Sequence, residues 1–172
     1  MTRKGHFRER EKQEFEQSIL DLARVTRVTQ GGKQLSFRAA VILGDRRGRV
    51  GFGLAKGADV QLAVEKAVHQ AKKTIITVPI HKETIPHAVV VKFKAAQVLL
   101  MPAPRGSGII AGGAARAVLE LAGVPNVSSK IIAKTKNKIA IAEATLLALK
   151  SFKKVARPAK TVNTTAEKTE PK

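Results

Sequence analysis

The spacing of hydrophobic positions changes along the chain, and each change predicts an element. Between Ser18 and Thr29, Ile19, Leu20, Val25 and Val28 lean towards a strand, although so short an apolar run leaves helix open. Gln30-Gly31-Gly32-Lys33 reads as a turn. Ser36 to Leu43 is rich in apolar and β-branched residues, Gly44-Asp45-Arg46-Arg47-Gly48 forms a loop, and a return strand follows, which together predict a hairpin. In the return strand Val50, Phe52 and Leu54 share one face, and Gly51 and Gly53 share the other. Glycine weakens a strand, so this pair marks either close approach by another backbone or a bulge or tight packing with no ligand. Gly57 to Ile76 then takes a helical period, with Val60, Val64, Ala67, Val68, Ala71 and Ile75 along one stripe and Lys66, Gln70 and Lys73 opposite.

Pro79 and Pro86 bracket a short polar connector, read as a boundary. Beyond it Val89 to Lys94 and Gln97 to Met101 are candidate strands, and Pro102-Ala103-Pro104 stops the second. A glycine-rich loop leads into a helix from about Ala114 to Ala122, with Gly123 suited to the position after its end. Asn126 to Ala133 looks like a further strand. Asn137 suits the N-cap of a last helix, Ile139 to Phe152, striped by Ile139, Ala142, Leu146 and Leu149. The order predicts an α+β fold in two lobes, residues 16–80 and 86–152. Residues 1–15 form a charged tail, and 153–172, poor in apolar bulk, are expected to be disordered in isolation.

Charge narrows the partners. Among 172 residues, 32 Lys and Arg stand against 13 Asp and Glu, a formal net charge of +19. Such a surplus repels itself in a compact chain unless a polyanion neutralises it, and nucleic acid is the favoured polyanion. No apolar run is long enough to span a bilayer, and the first residues lack the apolar stretch of a secretory signal. With no cysteine there is no disulfide or thiolate chemistry, which fits the cytoplasm. Six Phe and no Trp or Tyr leave few platforms for stacked bases, so phosphate and groove contact guided by shape is the expected mode.

Little points to catalysis. His6, His69, His81 and His87 lack metal-ligand spacing, and Asp21, Asp45 and Asp59 each stand alone, so neither a metal site, a cofactor nor an acid–base pair is expected. The loop Arg105-Gly106-Ser107-Gly108 through Gly112-Gly113 is the one enzyme candidate. Glycines ahead of a helix expose N–H groups that can hold a phosphate, of RNA or of a nucleotide, or they are merely a conformational turn. The loop lacks the Gly-Lys-Ser/Thr ending of a nucleotide-binding P-loop. Residues 24–56 carry Arg24, Arg27, Lys33, Arg38, Arg46, Arg47, Arg49 and Lys56 against Asp45 alone, which favours RNA contact over an ordinary solvated face.

Three segments carry a family resemblance. They are Arg24-Val25-Thr26-Arg27-Val28-Thr29-Gln30-Gly31-Gly32-Lys33 with Ser36-Phe37; Gly48-Arg49-Val50-Gly51-Phe52-Gly53-Leu54-Ala55-Lys56; and Pro102-Ala103 with the run Gly106 to Glu120. In this order they resemble the bacterial small-subunit ribosomal protein five family over roughly residues 16 to 152. The resemblance implies a first lobe like a double-stranded-RNA-binding domain, three antiparallel strands and a helix. It implies a second lobe of the two-layer βαβα kind with a left-handed crossover.

It further implies a structural, non-enzymatic protein of the cytoplasmic ribosome. Such a protein binds small-subunit ribosomal RNA, contacts small-subunit proteins four and eight, helps line the messenger entry path, and influences assembly and decoding accuracy. The RNA-contacting residues expected from the resemblance and the charge together are Arg24, Arg27, Gly31, Gly32, Lys33, Arg46, Arg47, Arg49, Gly51, Gly53, Lys56, Arg105, Gly106 and Ser107. Gly112, Gly113 and Arg116 are expected at a protein interface. Gln30 stands where the family often has a basic residue, and Ala133-Lys134-Thr135-Lys136-Asn137 replaces a more usual Gly-Ser-x-Asn, so the family role of that loop is not carried over. Two other functions fit parts of the sequence. A small-molecule kinase would share the second lobe's fold, but no Asp follows Asp59 to hold magnesium. A free-standing duplex-RNA regulator would explain the charge but not the second lobe.

Overall fold

The computed structural model describes residues 15–152. The two terminal tails expected from the sequence lie outside these residues, except for Phe15. Eleven elements follow in order: β1 (Glu16–Thr29), β2 (Gly32–Gly44), β3 (Arg49–Gly57), α1 (Val60–Lys73), β4 (Ile76–Thr77), β5 (Val89–Phe93), β6 (Ala96–Pro102), β7 (Ile109–Ile110), α2 (Gly113–Ala122), β8 (Val127–Ile131) and α3 (Lys138–Ser151). The α+β reading in two lobes holds. The first sheet runs β1-β2-β3-β4, with β4 pairing Arg49 to Thr77 and Val50 to Ile76. It therefore has four strands where three were expected, because two residues carry no readable alternation.

The first sheet is buried on both faces, which is why Ala39 to Leu43 form an unbroken buried run rather than an alternating one. Phe37, Ala39 and Val41 pack against Ala63 and Ala67 of α1. Ala40, Ile42, Val50 and Phe52 point the other way, into a larger core shared with Ala115, Val118, Leu119 and Leu149 of the second lobe. The second sheet runs β5-β6-β8-β7, with β7 and β8 parallel and joined through α2. Its inner positions Val98, Leu100 and Val127 meet α2 and α3 in that same core.

Local chemistry sets the helix ends. The Asp59 carboxylate accepts from Val60 N–H at 2.6 Å and caps α1. Gly123 ends α2 at φ 73°, and the Asn137 amide oxygen accepts from the N–H groups of Ile139 and Ala140 at 3.1 and 3.3 Å. The stripe expected on α3 was too narrow: Ala140, Ile141, Ala142, Ala144, Thr145, Ala148 and Leu149 are all buried. On α1 the buried row is Ala63, Ala67 and Ala71.

That row explains Gly51 and Gly53, and it corrects their expected place among the RNA contacts. Both are buried under α1. A Cβ on Gly53 would run into the Ala67 carbonyl oxygen and come within 2.7 Å of Ala71 N; one on Gly51 would run into the Ala71 carbonyl. Glycine on the strand and alanine on the helix bring two backbones together, and no RNA reaches either position.

Candidate nucleic-acid interface

The most exposed feature of the first lobe is a ribbon. The pairing of β2 with β3 stops at Phe37 and Gly57, but β1 and β2 stay paired through Val25 with Ser36 to Thr29 with Gly32. This stretch has no third strand beside it. Side chains on its two faces meet no core, which leaves Val28 71% and Leu35 54% exposed. At the tip a Cβ on Gly31 or Gly32 would meet nothing within 4 Å, and Gly32 takes φ 134°, which favours glycine. The Thr29 hydroxyl donates to the Gly32 carbonyl at 3.2 Å and closes the turn.

Register divides the ribbon's cations. Arg24 and Lys33 fall on the face that continues from Phe37, and Arg27, opposite Gln34, falls on the other. All three are exposed, and none pairs with an acidic side chain among the described residues. The same is true of Lys56, at the end of β3, and Arg47, in the β2–β3 loop. Arg38, by contrast, lies back on the sheet and pairs with Asp21 at 3.4 Å.

Two loop arginines expected among the RNA contacts are engaged within the protein. Arg49 Nε donates to Asp45 Oδ2 at 2.6 Å, and its guanidinium lies 4.9 Å from the centre of the Phe15 ring. Burial works against the charged form of Asp45. Hydrogen bonds from the Arg49 side chain and from the Arg47 and Arg49 N–H groups, with the Arg49 charge, outweigh it and hold this carboxyl below its ordinary value. A depressed carboxyl contributes stability above the unfolded value of about 4 and loses it as pH falls through the folded one. Asp45→Asn is therefore expected to flatten the acid side of the stability-against-pH profile, read by urea unfolding between about pH 2 and 5; an unchanged acid side would remove Asp45 from that role.

Arg46 belongs to the junction between lobes. At φ 55° its N–H donates to the Leu121 carbonyl at 3.0 Å, and Gly48 N–H donates to that of Ala122 at 2.9 Å. The loop thus satisfies carbonyls at the C-terminal end of α2 that no helical partner reaches. The Arg46 side chain pairs with Glu16 at 2.6 Å and Glu120 at 4.0 Å.

The glycine-rich loop of the second lobe is also closed on itself. Gly106 and Gly108, at φ 86° and 67°, donate their N–H groups to Asn126 Oδ1 at 3.0 and 3.2 Å. Ser107 N–H donates to the Pro104 carbonyl at 3.3 Å, and Arg105 pairs with Glu83 at 3.4 Å. These N–H groups are committed within the chain and are not a waiting phosphate cradle. Asn126, 6% exposed, went unnoticed in the sequence. Its amide nitrogen donates to the Glu83 carbonyl at 3.2 Å, and Thr84 donates to the Asn126 carbonyl at 2.7 Å. An asparagine ahead of a strand carries no signal of such a network. Asn126→Ala orphans both glycine N–H groups and should cost about 2 to 3 kcal/mol in denaturant unfolding. A loss under about 0.5 kcal/mol would show that the network is dispensable.

Gly112 and Gly113 stand at the start of α2. A Cβ on Gly113 would meet nothing within 4 Å, and one on Gly112 would press only the flexible end of Ile131, at 2.7 Å. Close backbone approach within the chain does not explain Gly113. Arg116 is exposed on α2 without an acidic partner among the described residues.

With this geometry in place, the comparisons with known proteins are decisive. Residues 15–79 match the family model described as ribosomal protein S5, N-terminal domain, and residues 91–161 match ribosomal protein S5, C-terminal domain. The chain belongs to the ribosomal protein S5 family. It is similar to the small ribosomal subunit protein uS5 of Thermotoga neapolitana, 44% identical over 160 residues covering 93% of this chain and 89% of that one. That of a Hydrogenobaculum species is 51% identical over 119 residues, 69% of this chain and 63% of that one. The Thermotoga maritima protein is 44% identical over 152 residues, 88% and 85% of the two chains. The family is one of structural proteins of the small ribosomal subunit and not of enzymes, which settles the question left by the glycine loop. Among the described residues no helix is long and apolar enough to cross a membrane, and no group of His, Asp and Glu is placed to hold a metal ion.

Proposed function

We propose that the chain binds small-subunit ribosomal RNA through the β1–β2 ribbon, with Arg24, Arg27, Lys33 and the Gly31-Gly32 tip as its leading contacts and Arg47 and Lys56 on its flank. The observation that carries this is the ribbon itself. A two-stranded arm without a third strand does nothing for the core, yet it holds cations with no described acidic partner. Polyanion contact compensates both features, and the glycine tip lets the backbone come close to a phosphate. Within the ribosome in the cytoplasm, the exposed start of α2, with Gly112, Gly113 and Arg116, is the surface for a neighbouring protein. Small-subunit proteins four and eight are the neighbours that the family resemblance suggests. A place beside the messenger entry path, and effects on subunit assembly and decoding accuracy, would follow from these contacts. Arg105 and Ser107, exposed and half-buried at the glycine loop, remain secondary RNA contacts in this reading.

The test is a salt titration. Arg24→Ala, Arg27→Ala and Lys33→Ala combined should weaken binding to a small-subunit ribosomal RNA fragment and make the slope of log K on log salt shallower by about 2 to 3, taking about 0.9 per phosphate lost from duplex DNA. The melting temperature should move little, because surface changes of this kind cost within about 0.5 kcal/mol each. An unchanged slope would remove the ribbon from the interface.

A further inference from the structure

The core that the two lobes share does not close at one edge. Between the end of α1 and α3 it opens to the surface as a cavity of about 380 Å³. Phe52, Leu54 and Ile76 of the first sheet line it, with Phe93 of β5 and Leu146 and Leu147 of α3. Glu143, one helical turn before Leu146 and Leu147, sets a carboxylate among these apolar groups. Its Oε2 is shut off from water and has no hydrogen-bond partner among the described residues. Lys150 lines the same cavity, yet no ion pair among the described residues joins it to Glu143. We infer that this cavity, a site separate from the proposed RNA contacts, binds a small organic amine: an apolar or aromatic body with a single protonated amino group that meets Glu143.

Size, lining and charge select that class. A concave, mostly apolar site of a few hundred Å³ between two lobes, with few polar groups, has the make-up of a small-molecule site. The Phe52 and Phe93 rings give an aromatic body surfaces to pack on and favour a cation beside them. A carboxylate oxygen that has lost water and gained no donor is costly. Both oxygens share the charge, so an ammonium that reaches either one offsets the loss. An anion fits worse, because Lys150 is exposed and keeps its charge in water, while Glu143 repels from the wall. A polyamine fits worse too. Lys150 at the cavity and the Lys94 ammonium, 5.0 Å from the centre of the Phe93 ring, repel any further positive charge. Elsewhere a chain of net charge +19 repels free cations, so an amine has little non-specific attraction to it.

The test uses the isolated full chain and dansylcadaverine, a fluorescent aromatic amine, beside its N-acetyl derivative, which keeps the body and loses the charge. With the dansyl group excited directly, the amine's fluorescence should rise and shift to the blue, saturating below about 1 mM. The N-acetyl compound should bind about fivefold more weakly, the difference between a charged and a neutral hydrogen bond. Glu143→Gln should bring the amine down to the level of its N-acetyl derivative. Leu147→Arg changes a side chain that is 40% exposed, so the melting temperature should hold. It sets a guanidinium four residues after Glu143, where it takes the carboxylate for itself, and amine binding should fall about tenfold. If Glu143→Gln fails to fold, Leu147→Arg decides alone. No saturable binding overturns the inference, and that includes the case of a lysine from the chain's own tails already holding the site. So does equal binding of the N-acetyl compound, or amine binding that the folded variants leave unchanged.

Discussion

Gly53→Ala is expected to destabilise the protein by about 3 kcal/mol or more, the upper range for added volume in a packed interior. The added methyl meets backbone, not a mobile side chain. It would collide with the Ala67 carbonyl oxygen and sit 2.7 Å from Ala71 N, so α1 as a whole must lift from the sheet. Lifting α1 opens the contacts of Ala63 and Ala67 with Ala39 and Val41, all of them fully buried. It also stretches the bond from the Thr74 hydroxyl to the Phe52 carbonyl, 2.7 Å long, that ties the end of α1 to β3. Gly31→Ala is the control, since a Cβ there meets nothing within 4 Å. The first variant should lower the urea midpoint strongly and the second barely, while only the second is placed to disturb RNA binding. A Gly53→Ala midpoint within about 1 kcal/mol of the parent would mean that helix and sheet are less tightly seated than their backbone distance implies.

The glycines show how far the sequence could be read. The hairpin pattern put Gly51 and Gly53 on the face opposite Val50, Phe52 and Leu54, and that placement holds. What faces them could not be read, because the alanine row that meets them lies in another element. Nothing local distinguishes a strand glycine that admits a helix from one that admits a phosphate. The charge count had the same weakness. Eight cations against Asp45 between residues 24 and 56 signalled RNA, but Arg46 and Arg49 are engaged within the fold by Glu16, Glu120 and Asp45. Two of those partners lie outside the counted window. The ribbon was read short for a different reason: Gly32, Lys33 and Gln34 lack the apolar alternation of a strand, yet β2 begins at Gly32. Elements with local signals came through. Gly123 ends α2 and Asn137 caps α3 where their residue types placed them, since caps are made within a few residues of the chain.

Gly123→Ala tests whether the two lobes are one body. Gly123 combines two demands: φ of 73°, and a Cβ position that would run into the backbone of Arg46. The first costs an alanine about 1 to 2 kcal/mol. The second pushes the β2–β3 loop away from the end of α2, weakening the bonds from Arg46 and Gly48 N–H to the Leu121 and Ala122 carbonyls. Gly44 allows no retreat, since a Cβ there would itself meet the Leu121 backbone. A total loss of about 2 to 4 kcal/mol is expected. How that loss is distributed decides the question. Ile42 in the first lobe and Leu100 in the second belong to the same core, so their amides should share one global opening. In Gly123→Ala both should exchange faster with solvent by the same factor, about 30 to 1000 for that free energy at 1.4 kcal/mol per tenfold. If Leu100 accelerates while Ile42 keeps its parental protection, the lobes open separately and the shared core does not couple them. Equal acceleration would make the loop a rigid strut, so that the ribbon and the start of α2 are fixed relative to one another.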